Sequence, residues 1–191
     1  MTIQQDIQIG KARVFDEVAK TTAYIGKKAT SAQDPDAYER VAVVDANREQ
    51  LDRYWTEACD GASLTLDHWV VSQTAQTLTH HPELDRDYNI TLGLTDNWNW
   101  AYLTTVREVL SSYLVNSMVA KWLLVVLPSQ AEAYGALAAG DEKRLRDLML
   151  VRKRPVPRVT VAAGAVGDNN GIWGSEDLWG GPQTWDDTDD E

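Results

Sequence analysis

The chain carries one cysteine, three histidines, and 18 lysines and arginines against 29 acids. A lone thiol, Cys59, cannot build a disulfide framework or a thiolate metal cluster. The shortage of cations leaves a formal net charge of −11 and no sizeable basic stripe, which argues against a general nucleic-acid binder. The opening residues Met1 to Asp6 lack the basic and apolar regions of a secretory signal, so a cytosolic origin is expected. The longest apolar window, Val109 to Leu127, is interrupted by Ser111, Ser112, Asn116, Ser117 and Lys121 and has no flanking basic cluster. It reads as a buried central helix rather than a membrane span.

What is present is an ordinary globular composition, 43% apolar and 25% charged, long enough for one domain with extensions. The acidity is uneven. Residues 1–154 hold 17 Lys and Arg against 21 Asp and Glu, whereas residues 155–191 hold one against eight. A compositional boundary is therefore placed at Pro155. It gives an N-terminal arm and helix over 1–33, a helical bundle over 34–155 and an extended acidic tail over 156–191.

The periodicity within the body is mostly helical. Val14, Val18, Ala19 and Ile25 predict a helix over Lys11 to Lys28, loosened at Gly26. Asp34-Pro35-Asp36 is a helix start, with a capping side chain, a proline at the first position and an acid in the first turn. Tyr38, Val41, Val44, Leu51, Tyr54, Trp55 and Ala58 continue that helix, with an interruption or bend at Asp60-Gly61. Leu64, Val71 and Leu78 extend it to about His80, before Pro82.

Over 88–94 the period becomes two: Tyr88, Ile90, Leu92 and Leu94 alternate with Asn89, Thr91 and Gly93. That is a half-buried strand, and a strand needs a partner for its backbone. Ile7 with Ile9, and Val159 with Val161, alternate as well. They are candidate partners within the chain or between subunits. Thr95-Asp96 is expected to open the longest helix, carrying Leu103, Val106, Leu110, Leu114, Met118 and Trp122. Pro128 closes it. Ser129 with Glu132 fits a capping box for a last helix, broken at Gly140 and ended by Arg152-Lys153-Arg154-Pro155, whose cations suit a helix C-terminus. The fold class expected is mainly α, a helical bundle with minor β segments and an extended C-terminal arm.

No residues combine into a recognisable catalytic or metal site. His80 and His81 are adjacent and share no helix face, and with His68 they lack a completing ligand, so polar helix ends are the simpler reading. Glu83, Asp85 and Asp87 lack the glycine and terminal glutamate of a calcium loop. Cys59 and Ser111-Ser112 have no visible base. Gly164, Gly167 and Gly171 do not follow a strand into a helix, so they make no phosphate loop. Trp98 and Trp100, with Trp55, Trp69 and Trp122, fill core or interface rather than line a pocket. Arg152, Lys153 and Arg154 are either a solvated helix end or a contact to phosphate or an acidic segment. No enzyme activity, metal or cofactor is expected.

The tail holds the clearest functional signal. Trp173, Trp179 and Trp185 recur every six residues, the first two preceded by Ile172 and Leu178 and followed by glycine. Six is a multiple of two, so an extended chain would present all three indoles on one face. The surroundings are rich in Gly and Asp and too poor in aliphatics to form a core. Large anchors without a core describe a docking peptide for a partner protein.

The order of segments also carries a resemblance. A capped helix from Asp34 and a bent second helix precede Tyr88-Asn89-Ile90-Thr91-Leu92-Gly93-Leu94. Asp96-Asn97-Trp98-Asn99 then opens a long apolar helix, and a shorter helix ends in Arg152-Lys153-Arg154-Pro155. Over about 34–157 this resembles small helical proteins of the head–tail connector region of tailed bacteriophages, especially those of gut-bacterial phages. The resemblance implies a structural virion protein of the neck, made in the host cytoplasm. It would form a homo-oligomeric ring beneath the portal, contact portal or other neck and tail proteins, and lie near DNA only incidentally, with no membrane. The tryptophan repeat is not part of that resemblance. It leaves a second reading open, a non-virion adaptor that docks through its acidic Trp-rich end.

Overall fold

The computed structural model describes residues 2–31, 34–73 and 87–154. The chain separates into two units, Met1–Lys153 and Arg154–Glu191. The first is mainly helical with a small sheet, and β1 and α1 belong to it together with the helices that follow. Its elements are β1 (Thr2–Ile9), α1 (Lys11–Ala29), α2 (Ala37–Val41), α3 (Arg48–Leu66), β2 (Val70–Gln73), β3 (Tyr88–Thr95), α4 (Leu103–Val126) and α5 (Pro128–Met149), with 3-10 turns at Asp45–Asn47, Asp67–Trp69 and Trp100–Tyr102.

The sheet order is β1-β3-β2, antiparallel throughout. The alternation over 88–94 is therefore a central strand, and its partner on one side is the Ile7–Ile9 segment of the same chain. Register runs without a shift from Thr2 opposite Thr95 to Ile9 opposite Tyr88. Ile7, Ile9, Tyr88, Ile90, Leu92 and Leu94 are buried on one face, as period-two patterning requires. The other face is polar, and there the Thr91 hydroxyl donates to the Asp6 carboxylate at 2.7 Å. Gly93 lies on that face against a methyl of Val71, which would stand 2.7 Å from an added Cβ.

The helical core is built around α4. Val106, Leu110, Leu114 and Met118 are fully buried and Trp122 nearly so, along the stripe expected from their spacing. α4 packs on α1, α3 and α5, and by length and composition alone Trp100–Val126 could also cross a membrane. Trp122 donates its indole N–H to the carbonyl of Val41 at 2.8 Å, fixing α2 to the core.

Several boundaries differ from the sequence reading. The helix opened by Asp34-Pro35-Asp36 stops at Val41. Ala42 and Val43 leave it, and the Val43 amide donates to the Thr22 hydroxyl on α1. α3 begins afresh at Arg48 and runs straight through Gly61, where the Tyr113 side chain occupies the space a Cβ would need. It ends at Leu66 rather than His80, and Val70–Gln73 is strand because β3 offers a sheet edge there. Gly26 does not loosen α1. It is buried, and α2 crosses over it so closely that a Cβ would stand 3.1 Å from the Cα of Tyr38.

α4 starts at Leu103, after a 3-10 turn, because the segment from Asp96 is held in turns. Pro128 is the first residue of α5 and not merely the end of α4, a position where its missing N–H costs nothing. The cap of α5 is Leu127 without a side-chain bond, so the Ser129–Glu132 capping box is not formed, and α5 continues through Gly140.

The N-terminus of α1 is capped from a distance. Gly10 supplies no side chain, and the Asp87 carboxylate instead accepts from the Lys11 backbone N–H at 2.9 Å and from the Gln8 amide at 2.8 Å. Asp87→Ala is expected to cost about 1 kcal/mol in urea unfolding, the usual worth of a helix cap. An unchanged midpoint would show that the bond contributes nothing.

Candidate interaction surface

The tail residues Ile172, Trp173, Leu178, Trp179 and Trp185 lie outside the described residues, as do Val159, Val161, His80, His81, Glu83, Asp85 and the three glycines. The basic run is described. α5 ends at Met149, so Arg152, Lys153 and Arg154 follow its last turn instead of occupying it. Arg152 and Lys153 belong to a clamp. Trp98 donates its indole N–H to the carbonyl of Leu148 at 3.0 Å, and the Asn99 amide donates to the carbonyl of Val151 at 3.2 Å. The Lys153 amide donates to the carbonyl of Asn97 at 2.9 Å, and its ammonium donates to the carbonyl of Asp96 at 2.8 Å. Arg152 reaches back to the carbonyl of Met149. The end of α5 is thereby tied to the turn before α4. Of the three cations, Lys153 spends its charge on a backbone carbonyl, and Arg154 is exposed.

Trp98 is fully buried and meets Trp100 edge to face, with ring centroids 5.3 Å apart. Trp55 is also in the core, edge to face with Phe15. These aromatics fill interior space. Among the described residues, no group of three or more His, Cys, Asp or Glu could hold a metal ion. Burial pushes the Cys59 thiol up, with Asp60 adding to the effect, so it holds its proton. Burial likewise raises the Tyr88 hydroxyl, which pairs with Ser63 at 2.9 Å. Asp87, grouped with the loop acids by sequence, is the helix cap described above.

Three surface features remain. A groove of about 510 Å³ runs between α1 and the segment before α3, lined by Phe15, Ala19, Val43, Val44 and Leu51 with Lys11 and Arg48. The Lys11 ammonium pairs with Asp52 at 2.9 Å beside it. Apolar side chains stand in solvent on the helices, including Leu64 (77% exposed) and the adjacent Leu124 and Val125 (65% and 64%). β1 forms one border of the sheet. Ile7 and Ile9 read as strand from their alternation alone, whereas the groove joins elements far apart in the chain and leaves no mark in local spacing. Leu64 faces solvent rather than the core, since seven-residue spacing does not distinguish a core stripe from a solvent-facing one.

Comparison with protein-family models, with curated proteins and with solved structures gives no match for this chain.

Proposed function

We propose that this protein is a structural virion subunit, a ring-forming head–tail connector of the neck of a tailed phage. The observation that most supports an assembly role is the pair Leu124 and Val125, large apolar side chains left in solvent side by side at the end of the core helix. Apolar surface of this kind is covered economically by a neighbouring subunit. Several of the described polar groups serve structure: Asp87 a cap, Lys153 the clamp, Ser63 and Tyr88 each other. The order of segments over 34–157 supplies the connector part of the reading. Portal or other neck and tail proteins are its partners, and its place is the virion.

The test is particle size. Purified full-length protein, alone and mixed with a portal, is expected to give rings of many 21.3 kDa copies by mass photometry and negative-stain imaging. Nothing larger than a dimer under both conditions would overturn the ring.

The tryptophan repeat favours a second reading, an adaptor that docks through its tail on a partner protein. In either reading Trp173, Trp179 and Trp185 are the anchors, each worth about 2 kcal/mol or more when truncated. Three on one arm act together, so single substitutions look mild and deletion does not. Removing residues 170–191 is expected to abolish attachment to the partner while leaving the body folded. The acidic end from Asp186 to Glu191 makes attachment weaken with salt. Attachment at full strength without the tail would refute the docking role.

A further inference from the structure

The two borders of the sheet are built differently. β2 is four residues long, and its register slips between Val70 and Ser72. Short length and irregularity are the devices by which natural sheets protect an edge. β1 has neither. It is eight residues long and pairs with β3 without a shift, and its sequence Thr2-Ile3-Gln4-Gln5-Asp6-Ile7-Gln8-Ile9 contains no proline and no lysine. Its one charge, Asp6, is already held by Thr91 on the polar face. Ile3 is 39% exposed although it shares the core-facing parity of Ile7 and Ile9. Among the described residues, β3 is the only strand paired with β1.

We propose that β1 is a dimerisation edge, and that its occupant is β1 of a second copy in antiparallel pairing. The strand's own sequence argues for this partner. A two-fold axis normal to the sheet keeps each face on its own side, so residues directly opposite must share parity. Centring the axis on Gln5 places Ile3 opposite Ile7, Gln4 opposite Asp6, Thr2 opposite Gln8 and Gln5 opposite itself. Every pair is compatible. Ile3 gains an apolar neighbour, the Gln4 amide faces the Asp6 carboxylate, and two Gln5 amides meet, each with a donor and an acceptor. Centring on Asp6 instead would set two carboxylates against each other, which disfavours that register. The result is a six-stranded sheet continuous across two copies. The inference does not depend on the connector reading, because such a dimer can stand alone or be the unit from which a ring is built.

The full-length chain carrying Gln5→Cys tests it. Across the axis the two new thiols face each other, while Cys59 is buried and stays out of the reaction. Mild oxidation is expected to give a covalent dimer on a non-reducing gel, and Gln4→Cys, opposite Asp6, is expected to give far less. Two charge variants add an independent readout by sedimentation. Gln5→Lys puts like charges at the axis and is expected to weaken the dimer by about two- to fivefold, whereas Gln4→Lys faces Asp6 and keeps it. Far-ultraviolet circular dichroism verifies that both variants fold. No cross-link through position 5, or equal weakening by both lysines, would overturn the proposal. A wild-type monomer would do the same and would mean that the edge is covered otherwise. Failure to form rings, with the position-5 cross-link intact, would remove the connector reading alone.

Discussion

Leu114→Asp is expected to abolish soluble folding. Leu114 is fully buried in the middle of α4, the helix that packs on α1, α3 and α5. A carboxylate there would stand within the apolar core cluster and lose its hydration, so it must either ionise at that cost or take up a proton. Either course costs several kcal/mol, against a total stability of about 5–15 kcal/mol for a domain. Leu114→Met conserves volume and should cost less than about 1.5 kcal/mol, which separates charge from packing. Soluble yield and thermal melting of the two variants are the measurements. Ordinary melting of the aspartate variant would mean that α4 does not form the core.

The second large effect concerns Trp98. The side chain is fully buried, its N–H bonds to the carbonyl of Leu148, and its ring meets Trp100. Trp98→Ala removes an indole from a packed site and takes one of two donors from that carbonyl, which keeps the Val151 N–H, an expected loss of about 3–5 kcal/mol. Trp98→Phe keeps most of the volume and loses the donor, an expected loss of about 1–3 kcal/mol. Urea midpoints at unchanged slope give both numbers. A loss near zero for the alanine variant would place Trp98 outside the core and dissolve the clamp between the end of α5 and the turn before α4.

Comparing sequence with structure shows which physics is local. β3 was legible because its period of two is carried by seven consecutive residues, and α1 because its apolar positions fall on one stripe. The buried face of α4 was legible for the same reason. β2 was not legible, since Val70 and Val71 sit between Leu64 and Leu78 at helical spacing and become strand only where β3 supplies hydrogen bonds. The break after Val41 depends on the Thr22 hydroxyl, a partner 21 residues away in the chain. Pro128 shows a real ambiguity: proline ends one helix and begins another with equal ease. Of the candidate site, the basic run was visible as a run, but its use was not. The bonds from Lys153 to Asp96 and Asn97 span more than fifty positions, and spacing along the chain carries no sign of them.

The pairing of Thr2 with Thr95 has a consequence for synthesis. β1 leaves the ribosome before β3 and must wait for it, some seconds at about 5–20 residues per second. Throughout that interval both borders of β1 are bare, and on a polysome many copies of it are close together. Contacts this distant in sequence also close slowly, because the intervening loop must lose entropy before the pairing rewards it. The same delay applies to the packing of α1 on α4, so neither end of the N-terminal segment is settled before the second half of the chain has emerged. A strand that tends to pair with its own copy is in this way without its intended neighbour during the period when mispairing is easiest.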